Sequence, residues 1–441
     1  MATNMTFVDY NTIVPADWLN HVNNFVNQWP GTVRMVLQPG STGTWNVFGP
    51  DGSIIPTTGT TTAGLQEAIN YATTYGYNLH VIGGPGVGSP GTSYGLIFCS
   101  SPILWPPLRA ITVVMEGVHI IFTSAVTGTG MSFDSMDECD INIVGEIVYQ
   151  GNGSAVAFAP RTPVPVDGGI FIDASRVHIS AVVTNGGSPM SCISFNPTFS
   201  SISFLDFSCD EVNGAGAQNQ GAVGLFGVEV INPQPNTSFE QNIIKLGHVH
   251  EVVDAGVQIG TTTTNQQNMR HNIWTIGSIK PSGAGNCSGF NTFGSGDIVT
   301  IGGITNEEGA LNYGVVVQNN AFYNTITVGQ VVGASIANLS DHGVGTITPS
   351  TQTLRGTNIS TGNVTVTYLP DGRIIQTVNN AGSSPTGVFT AFPVGFPNQC
   401  DSCVATPTNQ VAAFSVSAGG GGFTITSASG TPNFNVIATG R

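Results

Sequence analysis

Asn242-Ile-Ile-Lys-Leu-Gly-His-Val249, Asn272-Ile-Trp-Thr-Ile-Gly-Ser-Ile279, Asp297-Ile-Val-Thr-Ile-Gly-Gly-Ile304 and Asn324-Thr-Ile-Thr-Val-Gly-Gln-Val331 are four copies of one phrase. Each opens on Asn or Asp, continues as an alternating apolar strand, and closes with Gly, a spacer and an aliphatic residue. The glycines at 247, 277, 302 and 329 stand 30, 25 and 27 residues apart. Looser copies lie upstream, aligned on Gly145 in Ile143-Val-Gly-Glu-Ile147, on Ala181 in Val177-His-Ile-Ser-Ala-Val182 and on Asp206 in Ile202-Ser-Phe-Leu-Asp-Phe207. A second strand follows in Gly169-Ile-Phe-Ile172, Gly256-Val-Gln-Ile259 and Gly314-Val-Val-Val317. Periods of this length with two or three strands per turn mark a solenoid. Helical repeats and the Leu-Asn ladder of leucine-rich repeats are absent, which leaves an all-β fold, a right-handed parallel β-helix whose strands stack at about 4.8 Å. The aligned Gly is expected where the backbone needs φ > 0. The wider upstream intervals predict projecting loops near Gly186 to Pro189 and Pro233 to Glu240.

Working outward, Leu65, Ala68, Ile69 and Ala72 predict a short helix that caps the open first rung, and the repeat ends near Ser340. Before it, Pro15 and the stripe Trp18, Val22, Phe25 and Trp29 predict an amphipathic helix. The domains expected are 1–30, an N-terminal helical segment; 31–61, a turn-rich linker; 62–345, the β-helix with its capping helix; 346–361, a Thr/Ser/Gly-rich connection; and 362–441, a small β-sandwich-like domain of short strands and turns.

Composition bounds the function. Of 441 residues only 8% are charged, the net charge is −15, and Lys245 and Lys280 are the only lysines. Nucleic-acid binding is excluded on that count, because phosphate neutralisation needs clustered Lys and Arg. The most informative uncharged stretch, from Val177 to Leu205, is broken by Asn, Ser, Pro and Gly, so no membrane insertion is expected. Asp9 and the lack of a basic n-region argue against a secretory signal, and folding in a reducing cytoplasm is expected. Seven cysteines read as free, buried small hydrophobes. The lone CxxC at Cys400 and Cys403 lacks a second pair for zinc. No cofactor and no metal are expected.

Three segments resemble the tail fibres and tailspikes of tailed bacteriophages. Thr6-Phe-Val-Asp-Tyr-Asn-Thr-Ile-Val-Pro-Ala-Asp-Trp-Leu-Asn20 looks like a fibre opening, and Thr62-Ala-Gly-Leu-Gln-Glu-Ala-Ile-Asn-Tyr-Ala72 is similar to the entry of pectate-lyase-like β-helices. Tyr368-Leu-Pro-Asp-Gly-Arg-Ile-Ile-Gln376, Phe392-Pro-Val-Gly-Phe-Pro-Asn398 and Phe434-Asn-Val-Ile-Ala438 resemble the small domain that ends many tail fibres. Thr377-Val378 departs from the usual Trp-Gly there. The resemblance implies a homotrimer on the virion, held to tail, baseplate or adaptor proteins through Trp18, Leu19, Val22 and Phe25. It implies a shaft and tip that meet a host surface polysaccharide or lipopolysaccharide. A trimer also suits the composition, since three parallel solenoids can each bury one apolar face.

Three functions follow: a receptor-binding adhesin, a polysaccharide depolymerase, or a structural appendage. A depolymerase needs paired carboxylates. Asp210 and Glu251, each four residues past an aligned position, would stack on adjacent rungs, with Glu211 and Glu307 at the following position. The alternative is that all four are solvated turn side chains. Trp274 and Tyr313 are candidate faces for sugar stacking, Trp274 equally a candidate for the trimer interface. His248 and His250 flank an inward Val249 and face out. Arg161 has no second Arg nearby, so pectate-lyase chemistry is not supported.

Overall fold

The computed structural model describes residues 31–38, 43–83, 95–162, 171–185, 189–214, 226–262, 264–282, 287–306, 311–348, 364–368, 374–392, 399–408, 413–428 and 431–440. The expected N-terminal helix with Trp18, Leu19, Val22 and Phe25 lies outside these residues, as do Glu307 and most of the 346–361 connection.

The repeated phrase forms one strand of every coil. Ile243–His250, Ile273–Lys280 and Ile298–Thr305 pair in parallel and in register, placing Ile244 on Trp274 on Val299, Leu246 on Ile276 on Ile301 and Val249 on Ile279 on Ile304. Alternate residues therefore enter the interior and the rest face out. Each coil visits three parallel sheets in turn. Phe239–Glu240 belongs to a narrow third sheet of six strands, Ile243–His250 to a first sheet of fourteen, and Ala255–Ile259 to a second sheet of nine. The next coil repeats the order in Met269–Arg270, Ile273–Lys280 and Cys287–Thr292. The second sheet runs from Ile103–Trp105 to Ala337–Asp341. Crossovers between parallel strands of one sheet are right-handed as a general steric rule, so a right-handed winding is the expectation for these coils.

The interior is a dry column of like on like. Trp105, Phe133, Phe158, Phe195, Phe239, Trp274 and Phe290 form a chain of rings with centroids 4.9 to 6.4 Å apart. Each fully buried aromatic contributes about 1.5–3 kcal/mol, with ring pairing adding about 0.5–1.5. At one corner the opening residues of the repeat form a buried ladder. Asn242 Nδ2 donates to Asn272 Oδ1 at 3.0 Å, Asn272 Nδ2 donates to Asp297 Oδ1 at 3.1 Å, and Asp297 N donates to Asn324 Oδ1 at 2.9 Å. This ladder explains why each phrase begins with a short side chain carrying a carbonyl-type oxygen.

The aligned glycines serve a different purpose from the one expected. Gly247, Gly277, Gly302 and Gly329 do not adopt left-handed φ; they are required because coils approach too closely for a side chain. A Cβ on Gly277 would lie 2.4 Å from the Gly247 carbonyl oxygen, and one on Gly302 2.3 Å from that of Gly277. The left-handed column lies instead at the turn from the third sheet to the first, where Glu138, Ala174, Phe204, Gln241 and His271 have φ between 44° and 58°. That turn has no fixed residue type, so the sequence gives no sign of it.

Residues 31–61, expected as a linker, instead extend the first sheet. Thr32–Leu37 pairs in parallel with Asn78–Ile82 and antiparallel with Trp45–Phe48, which pairs with Ile54–Ile55. Val33, Met35 and Val47 are fully buried or nearly so. The Gly49 to Gly52 turn signal is real, with Gly52 N donating to Gly49 O at 3.0 Å, but it closes a hairpin. The expected helix is present as α1, Leu65–Tyr75, with Leu65, Ala68, Ile69 and Ala72 buried and left-handed Gly64 and Gly76 at its ends. It caps the second sheet directly. The Gln66 amide gives one hydrogen bond to Leu104 O and takes one from Leu104 N, both 2.7 Å, satisfying a strand edge that would otherwise be open.

The C-terminal segment is built from two antiparallel sheets. One orders Val364–Tyr368, Ile374–Ala381, Phe434–Gly440 and Cys400–Pro407, and the other Val388–Ala391, Gly422–Ser427 and Phe414–Gly419. Val378, Ala405, Phe434 and Val436 of the first and Phe423 and Ile425 of the second share one core, as in a sandwich. Among the described residues, no helix is long and apolar enough to cross a membrane.

Candidate functional site

The outer faces of the two wide sheets differ in chemistry. On the first sheet four carboxylates are paired with a His or Lys. His119 Nδ1 lies 3.2 Å from Glu146, His178 Nε2 3.6 Å from Asp210, His250 Nε2 3.0 Å from Glu211, and Lys245 Nζ 2.9 Å from Asp206. His248 and His250 do face out, His248 hydrogen-bonding the Ser278 hydroxyl at 2.8 Å. The carboxylates expected to act as a pair fall here. Asp206 pairs with Ile243, so the upstream alignment slips by four residues, and a Cβ on Gly247 would lie 2.2 Å from the Asp210 carbonyl oxygen. Asp210 therefore stacks on Gly247, not on Glu251, which sits past the end of its strand with φ 56°. The slip arises because Phe207-Ser-Cys-Asp210 fills the Gly position of the repeat with Asp. Glu211 stacks on His248 and bonds His250.

The second sheet presents a groove of about 850 Å³, bordered by α1, by Leu104 to Pro107 and by the stretch from Ala159 to Thr162. Its floor is a column in register, Ser132, Ala157, Ser194 and Glu229. The column continues through Gln258 and Asn291 into a second hollow of about 330 Å³. Asn291 Nδ2 donates to Gln258 Oε1 and Gln318 Nε2 donates to Asn291 Oδ1, both at 2.9 Å, which makes this stretch a rail of amides. Small residues at one end leave room, and the fixed amides beyond offer both donors and acceptors.

Two acids and one base border the main groove. Asp134 Oδ1 is saturated by the backbone N–H groups of Ser135, Arg161 and Thr162 at 2.5 to 2.9 Å. The Arg161 guanidinium lies over the Phe199 ring, 5.1 Å from its centroid. Glu229 differs from both: it is 9% exposed and has no hydrogen bond or ion pair to any described residue. Burial pushes its carboxyl pKa up to about 7. Asp254, at the second hollow, is raised by the same cause. The sequence signal for Glu229 is a single acid inside Phe226-Gly-Val-Glu-Val230, a strand that carries no copy of the repeated phrase.

The aromatic candidates separate. Trp274 is fully buried between Phe239 and Phe290, so it offers no face to a sugar or to a second chain. Tyr313 stands in the column of Phe226 and Ser288, both lining the second hollow, and is half-buried. Cys99, Cys192 and Cys287 are buried free thiols with pKa values pushed up to about 12, hence protonated and inert. Among the described residues no group of three or more His, Cys, Asp or Glu is placed to hold a metal.

Comparison with known proteins bears on the C-terminal domain. Residues 368–441 match the family described as putative tail fiber protein gp53-like, C-terminal. No curated protein matches the chain. Among solved structures, the tailspike protein gp49 from Pseudomonas phage LKA1 is 12% identical, with 82% of this chain and 66% of that chain covered and a TM-score of 0.27. This chain thus spans just under two thirds of that protein's length. The Dettilon tailspike protein gp208 is also 12% identical, covered over 88% of this chain and 92% of that one, with a TM-score of 0.21. On that match the resemblance carried by Tyr368 to Gln376 and Phe392 to Asn398 holds: residues 368–441 resemble the C-terminal domain of gp53-like tail fiber proteins.

Proposed function

We propose that the chain is a host-binding protein of a phage tail and that the groove on the second sheet of its β-helix holds a host surface glycan. The observation that carries this reading is Glu229, a carboxyl with no partner among the described residues, on the floor of a long groove whose other floor residues are small or amide-bearing. Its carboxyl lines the groove, where a ligand oxygen can take the place of solvent as its partner. Parallel strands repeat about every 4.8 Å along the groove, which suits a linear polymer of sugar rings better than a compact ligand. Binding without cleavage is favoured. The register neighbours of Glu229 are Ser194 and Gln258, so no second carboxylate stands one strand away, where a retaining pair at about 5–5.5 Å would need it.

In the same reading the protein sits on the virion as a homotrimer, attached by its N-terminal segment to the tail. Ile243, Ile273 and Ile298 form an exposed apolar column on the first sheet, 37 to 51% exposed, which a neighbouring copy would cover. The test is adsorption competition by the free protein on host cells. Wild-type protein blocks phage adsorption and Ala157→Trp, which fills the groove, does not; equal blocking by both would refute the groove.

A further inference from the structure

Resting on the glycan reading, we propose that the groove selects an uncharged stretch of polysaccharide through Glu229, whose carboxyl group enters the complex neutral and donates a hydrogen bond to a sugar oxygen. The geometry supports this in three ways. Glu229 lies on the floor column between Ser194 and Gln258, and both flanking groups are uncharged. No described cation faces it. Arg161 follows Ala159, which borders the strand of Ala157, two strands away from that of Glu229, and its guanidinium is engaged by Phe199. The remaining titratable groups along the groove are Asp134, saturated by three backbone N–H groups, and Asp254, before the start of the adjoining strand. A uronate or sialate lying over Glu229 would meet a carboxyl on a protein of net charge −15, with Arg161, the one described base of the groove, two strands away.

Amide or acid donors against hydroxyl acceptors match neutral sugars, and the same groups leave an anionic sugar's carboxylate without compensation. Burial independently raises the Glu229 pKa to about 7, so the donor form dominates in mildly acidic medium and falls away above neutrality. With that pKa the donor fraction is about nine-tenths at pH 6 and about one-tenth at pH 8. Binding through the neutral form therefore weakens about tenfold between them.

Two measurements on the full-length protein test this. Infrared difference spectra of wild type against Glu229→Gln, without ligand, should show a protonated carboxyl band at pH 6 that is gone by pH 8.5; a Glu229 already ionised at pH 5 would overturn the proposal. A printed array of defined bacterial oligosaccharides, neutral members beside members bearing uronate or sialate, is then probed at pH 6 and pH 8. Wild type should bind neutral members about tenfold more tightly at pH 6, and Glu229→Gln should bind them with no dependence on pH. Preference for acidic members, or a wild-type pH response shared by Glu229→Gln, would overturn the proposal. Met190→Trp, altering an exposed wall position, separates the two levels of the reading. If it abolishes binding whose pH response is absent, the groove stands and the role of Glu229 fails. If binding is unaffected by it and by Ala157→Trp, or if wild type binds no member, the glycan groove itself fails.

Discussion

The outer faces of the first and second sheets are made by the same coils and carry opposite electrostatics. On the first, Asp206, Asp210, Glu146 and Glu211 each meet Lys245, His178, His119 or His250 within 4 Å and stay open to solvent. On the second, Glu229 is largely buried and has no hydrogen bond or ion pair to a described residue. Partnered, exposed carboxylates are what a protein surface needs for solubility, and such pairs contribute about 0–1 kcal/mol each. An unpartnered buried one costs stability when it is ionised. The difference teaches that surroundings, not spacing, set what an acidic residue in a low-charge chain can do.

The largest effect expected is on the interior that both faces share. Phe195→Ala removes a ring stacked between Phe158 and Phe239 and should cost about 3–5 kcal/mol, read as a fall in the denaturant midpoint. An unchanged midpoint would mean that the two faces are not braced by a common core. Next is Gly277→Ala. Its Cβ would meet the Gly247 backbone oxygen at 2.4 Å, and the forced separation of coils should cost about 1–3 kcal/mol, most visibly on the first sheet.

The unpartnered-acid rule appears a second time, inside the corner ladder. Asp297 occupies an Asn position, is 1% exposed, and its Oδ2 has no partner. Oδ2 replaces the Nδ2 that Asn242, Asn272 and Asn324 each donate to a backbone carbonyl. Burial raises the Asp297 pKa from 3.8 to about 7, partly opposed by its bonds from Asn272. The folded state therefore holds the proton more tightly than the unfolded chain. The stabilisation it brings is complete below about pH 4 and is lost as pH rises through about 7. The nearest titratable neighbour on the turn, His271, points to the solvent side beside Gly296. Asp297→Asn should thus raise the melting temperature at pH 8.5, by about 1–3 kcal/mol in stability, and change it little at pH 5. Parallel melting curves for the two proteins across that range would break the rule.

Smallest is Glu211→Gln. Losing the half-exposed pair with His250 should shift stability by about 0–1 kcal/mol and leave glycan binding intact, as isothermal titration would report. A large loss of binding would move function to the first sheet and invert the comparison.

The repeat made the coil legible: Asn242, Asn272, Asp297 and Asn324 with their following strands set the parallel register directly. Loss of the Gly at Asp210 hid one coil's register, and with it the separation of Asp210 from Glu251. Residues 31–61 read as a linker because their turn signals dominate, although Val33, Met35 and Val47 alternate into the core. Glu229 was not legible because its burial is a property of neighbouring coils, contributed by residues tens of positions away. Tyr313, chosen as a sugar-facing ring, shares a strand column with residues of the second hollow but lines neither hollow, whereas Trp274 fills the interior because the repeat places its position inward.

The central claim is that the second sheet, not the first, meets the host. Hydrogen–deuterium exchange of the full-length protein with and without host surface polysaccharide tests it most directly. Added protection confined to 129–134, 154–162, 190–196 and 226–231 is the predicted result, and protection centred on 243–250 and 273–280 would contradict it.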